Sequence, residues 1–355
     1  MTKKRAAILG SSGMIGQRFS HMLDGHPYFD VVAYCASDRS DGKRLSDVWK
    51  LPDVELNPSL GSKTITGTDA AVLAKEGVEV VFSGLPSEVA GPVEDACAEE
   101  GMAVYSNAAS HRTDRDTPIL LPEINPDHLA AVEAQRQRRK KGGYIVTNAN
   151  CSVTGLALAL KPLVDAFRFT DVYVATYQAL SGAGYPGVPS LDILGNVLPH
   201  INNEEEKMSS EGRKILGGYS NGRFVDAPIN IDASCARVAT RDGHLEAVFI
   251  NHKDMPDVER ISKAFSDFRA RPQELGLPSA PMKPIIVRRE ENRPQPKLDA
   301  GAGEPLRAKG MAVTVGRIRT SKDRLRFYLL VHNTIRGGAG GSVLNAELAY
   351  REGLI

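Results

Sequence analysis

The stretch that decides the fold is RAAILGSSGMIGQRFSHML, residues 5–23. A short apolar run at residues 5–9 leads directly into a glycine-rich turn, and residues 17–23 can continue as an amphipathic helix. Glycines between a strand and a helix let the backbone approach a pyrophosphate, which the N–H groups of the helix N-terminus can bind. The alternative is an ordinary flexible turn, since short glycine motifs also occur by chance. The candidate cofactor-binding residues here are Gly10, Ser11, Ser12, Gly13, Met14, Ile15 and Gly16.

A second apolar run, residues 31–36, ends in SDRSDGK, about twenty residues beyond the glycines, where a dinucleotide fold binds the ribose. An acidic residue alone would indicate NAD, but hydroxyl and cationic side chains surround Asp38. Cationic side chains form charge-assisted hydrogen bonds to phosphate, so the segment predicts NADP(H), with an ordinary solvated basic loop as the alternative. The candidate residues are Ser37, Arg39, Ser40 and Lys43.

Further apolar runs at residues 78–82, 102–105 and 144–146 alternate with helix-like segments such as 89–100. This alternation predicts a parallel, doubly wound sheet of the Rossmann type, which binds ligands at the carboxyl ends of its strands. Three polar segments sit at such ends: SGLPSE at 83–88, SNAASHR at 106–112 and TNANCS at 147–152. Leu85 and Pro86 of the first segment are candidate cofactor contacts.

A chain of 355 residues exceeds the usual size of a single core, so two domains are expected. The first covers residues 1–151, and the second, residues 152–333, contains strand-like runs joined by turns that suit antiparallel pairing. The predicted fold class is therefore α/β: a Rossmann-type parallel-sheet domain followed by an α+β domain with a mixed, largely antiparallel sheet.

Charge and cysteine content restrict the class of partner. Lys plus Arg total 44 against 43 for Asp plus Glu, which gives no electrostatic reason to expect nucleic acid or an anionic membrane. The four cysteines lack the spacing of disulfide frameworks or zinc sites, so we expect no metal and a reducing compartment. The N-terminal apolar run is too short for a signal peptide or a membrane span. We expect a soluble cytoplasmic protein that acts on a small molecule.

Cys151 falls where an apolar run ends and a helix of roughly residues 153–167 is predicted, with Asn150 or Ser152 as the cap. A helix N-terminus favours thiolate over thiol, and the thiolate is the nucleophilic form. The alternative is a small buried apolar residue, which is the commoner environment of a single cysteine. Cys35 and Cys97, within a strand and a helix pattern, are assigned to that alternative.

The segment ARVATRDGH, residues 236–244, offers a partner for the thiol. Asp242-Gly243 is a favoured two-residue turn, so a hairpin is expected in which Arg237 and His244 point to the same side. Four residues in an extended strand separate their backbones by roughly 13 Å, so the arginine must lean inward for both to contact one substrate. The alternative is a structural histidine on a strand.

These motifs, together with YQALSGAGYPG (177–187), NNEEEKM (202–208) and HNTIRGGAGGSVLNAEL (332–348), resemble aspartate-β-semialdehyde dehydrogenases of the archaeal and fungal branch. The resemblance extends from the first strand to the last helix. It implies that residues 334–355 return to the first domain as a helix near the nicotinamide. It also implies a homodimer or homotetramer formed through the second domain.

The resemblance implies that Cys151 is the nucleophile, His244 the general acid/base, and Gln178 a residue that positions nucleophile and intermediate. One departure is Ala149, where these enzymes commonly have proline; its loss removes a fixed φ but leaves the reactive groups intact.

Substrate contacts are also implied by the resemblance. Arg237 matches the carboxylate-binding arginine, while Glu204 and Lys207 match the contacts to the amino group and the phosphate. The choice among Glu204, Glu205 and Glu206 is open at this point. The remaining implied positions are Arg112 and Asn150 at the phosphate, Ser181 and Gly182 at the substrate, and Asn333 near the nicotinamide.

The implied reaction is NADPH-dependent reductive dephosphorylation of L-aspartyl-4-phosphate through a cysteine thioester, in the biosynthesis of aspartate-family amino acids. An alternative on the same fold is an NADPH-dependent malonyl-CoA (acyl-CoA) reductase, which would share the thiol and the histidine. An alternative from another class is a non-catalytic NADP-binding redox sensor. The Glu204/Lys207 pair favours the amino-acid substrate.

Overall fold

The computed structural model describes residues 2–167, 169–253 and 256–355. A parallel sheet forms the first half of the molecule, with the strand order β2-β1-β3-β4-β5. Its strands are β1 Lys4–Leu9, β2 Phe29–Cys35, β3 Val80–Ser83, β4 Ala103–Ser106 and β5 Tyr144–Thr147. The accompanying helices are α1 Met14–Leu23, α2 Leu45–Val48, α3 Pro58–Gly61, α4 Ala70–Lys75, α5 Ser87–Glu99 and α6 Val132–Arg138. The predicted Rossmann-type parallel sheet is confirmed.

A second, mixed sheet follows, in the order β11-β12-β13-β10-β6-β9. Its strands are β6 Asp171–Gln178, β9 Asn230–Arg237, β10 His244–Asn251, β11 Ile285–Arg288, β12 Val313–Ser321 and β13 Arg324–Val331; β7 Gly218–Ser220 and β8 Arg223–Val225 pair separately. The helices are α7 Cys151–Ala166, α8 Ser190–Ile193, α9 Glu204–Leu216, α10 Val258–Asp267, α11 Arg271–Glu274, α12 Pro296–Asp299 and α13 Gly340–Arg351. The β6–β9 and β11–β12 pairs are parallel and the other pairs antiparallel, as expected for the α+β part.

The expected hairpin between β9 and β10 is wrong. Strand β6 lies between them and pairs with both. Residues 238–243, which separate the two strands, are more than a two-residue turn, and they can cross the width of one strand at about 4.8 Å per strand spacing. The connection is held across the end of β6, where the Val238 N–H donates to the Gln178 carbonyl and the Leu180 N–H donates to the Thr240 carbonyl.

Helix α7 lies within the apolar core of the second half. Its residues are apolar around most of the circumference, which is the pattern of a helix buried on all sides. A Cβ added at Gly155 would lie 2.7 Å from Val331 Cγ1, so this glycine permits α7 to approach β13 closely. The core thus fixes the helix that begins at Cys151.

The C-terminal helix α13 returns to the first sheet. Val343, Leu344 and Leu348 share an apolar cluster with Phe82 and Tyr105 of that sheet. This return is what the resemblance implied. Within the described ranges, the helices are too short or too polar to cross a lipid bilayer.

Candidate active site

The glycine turn between β1 and α1 packs closely against neighbouring backbone, which only glycine permits. Gly10 has φ +73°, and an added Cβ would lie 2.8 Å from the Gly84 carbonyl oxygen. Helix α1 has Gly13 as its N-cap, without a side-chain cap and without an acidic residue in its first turn. Ser11 is turned inward, where its hydroxyl donates to the Cys35 carbonyl. The uncapped N–H groups of the first turn therefore fit a pyrophosphate.

The loop after β2 carries the candidate residues for the ribose phosphate. Ser37, Arg39 and Lys43 are exposed, whereas Ser40 is buried. Among the residues that the structure describes, neither cation takes part in an ion pair, so both are available to an anion. At the end of β3, Leu85 is half-buried and Pro86 exposed. These positions fit an NADP-type dinucleotide laid across the carboxyl ends of the strands.

Cys151 is the first residue of α7. The Asn150 side chain caps the helix by accepting from the N–H groups of Ser152 and Val153. The Cys151 Sγ lies 3.1 Å from His244 Nε2 at the start of β10. Two residues far apart in sequence thus form the thiol–imidazole contact that the sequence predicted.

Both members of this pair are held neutral. Burial, followed by the Glu204 carboxylate, raises the pKa of the Cys151 thiol to about 12, against the opposing effects of Arg237, Arg112 and the Ser152 N–H. The Ser152 N–H at the helix N-terminus acts in the expected direction, but desolvation of the thiolate outweighs it, so the net shift of the pKa is upward. Burial, with Arg237 and His332, lowers the pKa of His244 to about 3.

A backbone contact fixes which nitrogen of His244 carries the proton. The Ala179 N–H donates to His244 Nδ1 at 3.0 Å, so Nδ1 is an acceptor. The neutral imidazole then carries its proton on Nε2, which faces the sulfur. In this state His244 donates a hydrogen bond toward Cys151 and does not accept its proton.

Three adjacent strands end in one row of polar side chains. Gln178 at the end of β6 pairs with Arg237 at the end of β9, and the register Leu245–Tyr177 places His244 next to Gln178 on the other side. Arg237 and His244 therefore face the same side, as predicted, but are separated by one strand, which is roughly 10 Å between backbones.

Gly182 lies against this row. A Cβ added there would be 2.7 Å from Arg237 Nη1 and 3.1 Å from His244 Nε2. Glycine is therefore required for Arg237 and His244 to approach this backbone. Ser181, beside it, accepts a hydrogen bond from Asn333 Nδ2 at 2.7 Å, and Asn333 Oδ1 accepts from the Gly243 N–H. Asn333 thus ties the predicted substrate segment to the start of β10.

The structure distinguishes the three glutamates at the start of α9. Glu204 is buried and accepts from Asn150 Nδ2 at 3.0 Å and from Gln178 Nε2 at 2.9 Å. Glu205 instead accepts from the Cys235 N–H, and Glu206 is exposed. Glu204 is therefore the carboxylate that faces the site.

The predicted cations lie around the same point. Arg237 is buried, with Nη1 donating to the Ala179 carbonyl at 2.9 Å. Arg112 is buried and donates to Glu211 and to the Asn107 carbonyl. Lys207 is half-buried on α9, one turn beyond Glu204.

Sequence reasoning missed Glu211 and the backbone N–H of Ala179. Glu211 could have been found, because it lies seven residues after Glu204 and so shares its helix face. The Ala179 contact had no signal in the sequence, because a backbone N–H acquires a partner only through the fold.

Two family models match the chain: the semialdehyde dehydrogenase NAD-binding domain over residues 5–132 and the semialdehyde dehydrogenase dimerisation domain over residues 160–336. An aspartate-semialdehyde dehydrogenase of Methanothermobacter thermautotrophicus is 47% identical, over 96% of this chain and 97% of its own. A malonyl-CoA reductase (NADP) of Metallosphaera sedula is 40% identical, over 99% of this chain and 98% of its own.

Among solved structures, the aspartate-semialdehyde dehydrogenase of Candida albicans with NADP matches with a TM-score of 0.88 and 36% identity, covering 100% of both chains. The resemblance to archaeal and fungal proteins is thereby confirmed. With two family models that match residues 5–132 and 160–336 and an archaeal relative that is 47% identical over nearly its whole length, the chain belongs to the semialdehyde dehydrogenase family.

Proposed function

We propose that the protein is an NADP-dependent aspartate-semialdehyde dehydrogenase, which reduces L-aspartyl-4-phosphate to L-aspartate-4-semialdehyde in the biosynthesis of aspartate-family amino acids. The contact of 3.1 Å between Cys151 Sγ and His244 Nε2, beside the buried charges of Arg237 and Glu204, carries this proposal. The names of the archaeal and fungal relatives support it.

The cofactor proposed is NADP(H), which supplies the hydride when bound. The residues proposed to hold it are Gly10, Ser11, Ser12, Gly13, Met14, Ile15, Gly16, Ser37, Arg39, Ser40, Lys43, Leu85, Pro86 and Asn333. The uncapped first turn of α1 and the unpaired cations after β2 support this assignment within the described residues.

Substrate recognition follows from the charges around the sulfur. Arg237 can form a bidentate pair with the α-carboxylate, and Glu204 can accept hydrogen bonds from the ammonium group. Arg112 and Lys207, with Asn150 at the helix N-terminus, bind the phosphate. Ser181 and Gly182 form the wall beside Arg237 and His244.

In the first step, the sulfur of Cys151 attacks the acyl carbon. A C–S bond forms, the bond from carbon to the phosphate oxygen breaks, and its electron pair leaves with the phosphate. The thiol proton leaves on the phosphate, which departs as HPO₄²⁻. Gln178, which donates a hydrogen bond to Glu204, keeps that carboxylate in position beside the reacting groups.

In the second step, the thioester carbon is reduced and its oxygen becomes an alkoxide. His244 Nε2–H donates a hydrogen bond to that oxygen. When the C–S bond breaks, its electrons return to sulfur, which takes a proton from solvent and restores the thiol. Because His244 Nδ1 accepts from the Ala179 N–H, hydrogen-bond donation by His244 Nε2–H is favoured over the general acid/base role that the resemblance implies.

A paired assay tests the proposed reaction. Phosphate-dependent reduction of NADP by L-aspartate-4-semialdehyde is expected, with little oxidation of NADPH by malonyl-CoA. The reverse result would assign the chain to the acyl-CoA reductases, a reading favoured by the relative from Metallosphaera sedula. A buried Glu204 supports a substrate with an ammonium group, which malonyl-CoA lacks.

The proposed partner is a second copy of this chain, in a homodimer or homotetramer. The second sheet has one face toward α7 and one open face on which Tyr173 and Phe249, a cross-strand pair, are 40% and 37% exposed. The dimerisation-domain model covers these strands.

A cytoplasmic location is also proposed, and it agrees with four cysteines that are all free.

A further inference from the structure

Helix α9 presents four charged side chains of alternating sign along one face. Glu204, Lys207, Glu211 and Lys214 follow each other at intervals of three, four and three residues, which keeps them on one side of a helix. The first two belong to the proposed substrate site. The last two have no part in the reaction described above, yet both contact the loop that carries Arg112.

Glu211 uses each carboxylate oxygen for a different element. Oε1 accepts from Arg112 Nη1 at 3.0 Å, and Oε2 accepts from the Asn150 backbone N–H at 2.8 Å. The residue is 6% exposed. One buried carboxylate therefore joins the guanidinium of Arg112 to the residue that precedes Cys151.

Lys214 holds the backbone of the same loop. Its Nζ donates to the carbonyl oxygens of Arg112 at 2.9 Å and Thr117 at 3.0 Å, and lies 4.3 Å from the centre of the Phe224 ring. The ammonium group is thus committed to backbone oxygens of the loop. Lys214 therefore holds the backbone of Arg112 in place, while Glu211 holds its guanidinium in place.

One nitrogen of Arg112 has no hydrogen-bond partner among the described residues. Nη1 is taken by Glu211 and Nη2 by the Asn107 carbonyl, but Nε is buried and has no hydrogen-bond partner in the described part of the chain. A buried N–H without a partner is unfavourable unless a ligand satisfies it. An oxyanion next to Cys151 would do so.

We propose that Glu211 and Lys214 are positioning residues for the phosphate site: Glu211 orients the Arg112 guanidinium and Lys214 anchors its backbone, so that Nε meets a phosphate oxygen. This inference rests on the proposed function, in which Arg112 binds the phosphate. Loss of either contact lets the guanidinium move and weakens phosphate binding, with a smaller effect on the semialdehyde, which Arg237 and Glu204 bind.

The test measures initial rates of NADP reduction with phosphate and L-aspartate-4-semialdehyde varied separately. Glu211→Gln and Lys214→Met are expected to raise KM for phosphate by about tenfold, the loss of one charge-assisted contact, with KM for the semialdehyde within about twofold. Glu211→Ala should have a larger effect than Glu211→Gln, which keeps one acceptor oxygen, and Lys214→Arg should recover part of the loss. Glu206→Gln, exposed on the same helix, is the matched control.

A binding measurement independent of turnover accompanies the kinetics. Inorganic phosphate should raise the Tm of the wild-type protein more than that of Glu211→Gln. Equal rises in both KM values, or an unchanged phosphate KM with a lowered Tm, would show a merely structural role and overturn the inference. If the wild-type protein does not oxidise the semialdehyde, the proposed function fails instead, and the difference in phosphate stabilisation still decides the role of Glu211.

Discussion

At the scale of single residues, the reactive pair is neutral before substrate binds. Burial opposes both charged forms, because a thiolate and an imidazolium each lose more hydration than their neighbours replace. The Arg237 cation further disfavours the imidazolium of His244, whereas at Cys151 it favours the thiolate and so opposes the effect of burial. A thiol pKa of about 12 keeps the reactive thiolate form scarce near neutral pH before a substrate binds.

The ionisation of Cys151 can be followed by alkylation of the ligand-free protein with iodoacetamide. With a thiol pKa of about 12, the rate should rise about tenfold per pH unit from pH 7 to pH 9.5, because the thiolate fraction does. Glu204→Gln should increase the rate at each pH, since the Glu204 carboxylate raises this pKa. Cys151→Ser reports the background from the other thiols, and a rate that levels off near pH 7 would contradict the assignment.

The role of His244 can be separated from simple substrate binding. Replacement by Ala should lower kcat by about a hundredfold or more, the effect of losing one donor to a developing oxyanion, with little change in KM. Replacement by Asn should retain about tenfold more activity than Ala, because its amide N–H can still donate. Equal loss in the two variants would favour full proton transfer, and an increase in KM alone would exclude both roles.

At the scale of elements, two polar rows lie at one end of the inner face of the second sheet. Beneath the row that contains Gln178 lies a second row, in which Cys235, Thr176 and Glu246 occupy adjacent strands. Both carboxyl oxygens of Glu246 are buried, and neither has a hydrogen-bond partner in the described residues. Burial, followed by Glu204, raises its pKa well above the ordinary value. The second sheet thus contains a carboxyl group whose neutral form is favoured by burial, below the candidate active site.

Glu246→Gln should stabilise the protein at pH 8. The ordinary pKa of this carboxyl is 4.5, and the folded protein raises the pKa well above that value, so the folded state binds the proton more tightly than the unfolded chain does. Folding therefore takes up protons between the unfolded-state and folded-state pKa values, and the wild-type free energy of unfolding falls as the pH rises through that range. Urea unfolding at pH 5 and pH 8 should show a difference between variant and wild type that grows with pH. A difference that stays constant would contradict this, and exposed Glu55→Gln is the matched control.

At the scale of the whole molecule, the proposed active site lies where the two sheets meet. Helix α7 brings Cys151 from the end of the first sheet, and the second sheet supplies the histidine and the arginine. The segment before α13 lies directly against Cys151, because a Cβ added at Gly337 would lie 2.7 Å from the Cys151 Cα and Cβ. Both halves of the chain must therefore fold and pack together before the site is complete.

The open sheet face predicts the oligomer. Tyr173→Lys combined with Phe249→Lys should dissociate the assembly to monomers, because two buried, unpaired charges would disfavour an apolar interface. Light scattering coupled to size-exclusion chromatography measures the mass. Leu191→Lys, at a position in α8 that is 92% exposed, should leave the mass unchanged. A double variant with the wild-type mass would place the interface elsewhere.

Sequence alone determined the elements whose signal is local. The glycine turn at residues 10–16 predicted strand, turn and helix because tight turning and close approach need glycine at those positions. Alternation of apolar runs with helix-like segments predicted the parallel sheet. The position of Cys151 at a helix start followed from a capping residue next to an apolar run.

Tertiary structure alone decided the relations between distant segments. The sequence could not show that β6 separates β9 from β10, because strand order depends on long-range pairing that a turn motif does not specify. It also could not show that Glu204, and not its two neighbours, faces the site. The pKa of Cys151, which keeps some exposed surface, was likewise decided by desolvation that only the folded chain produces.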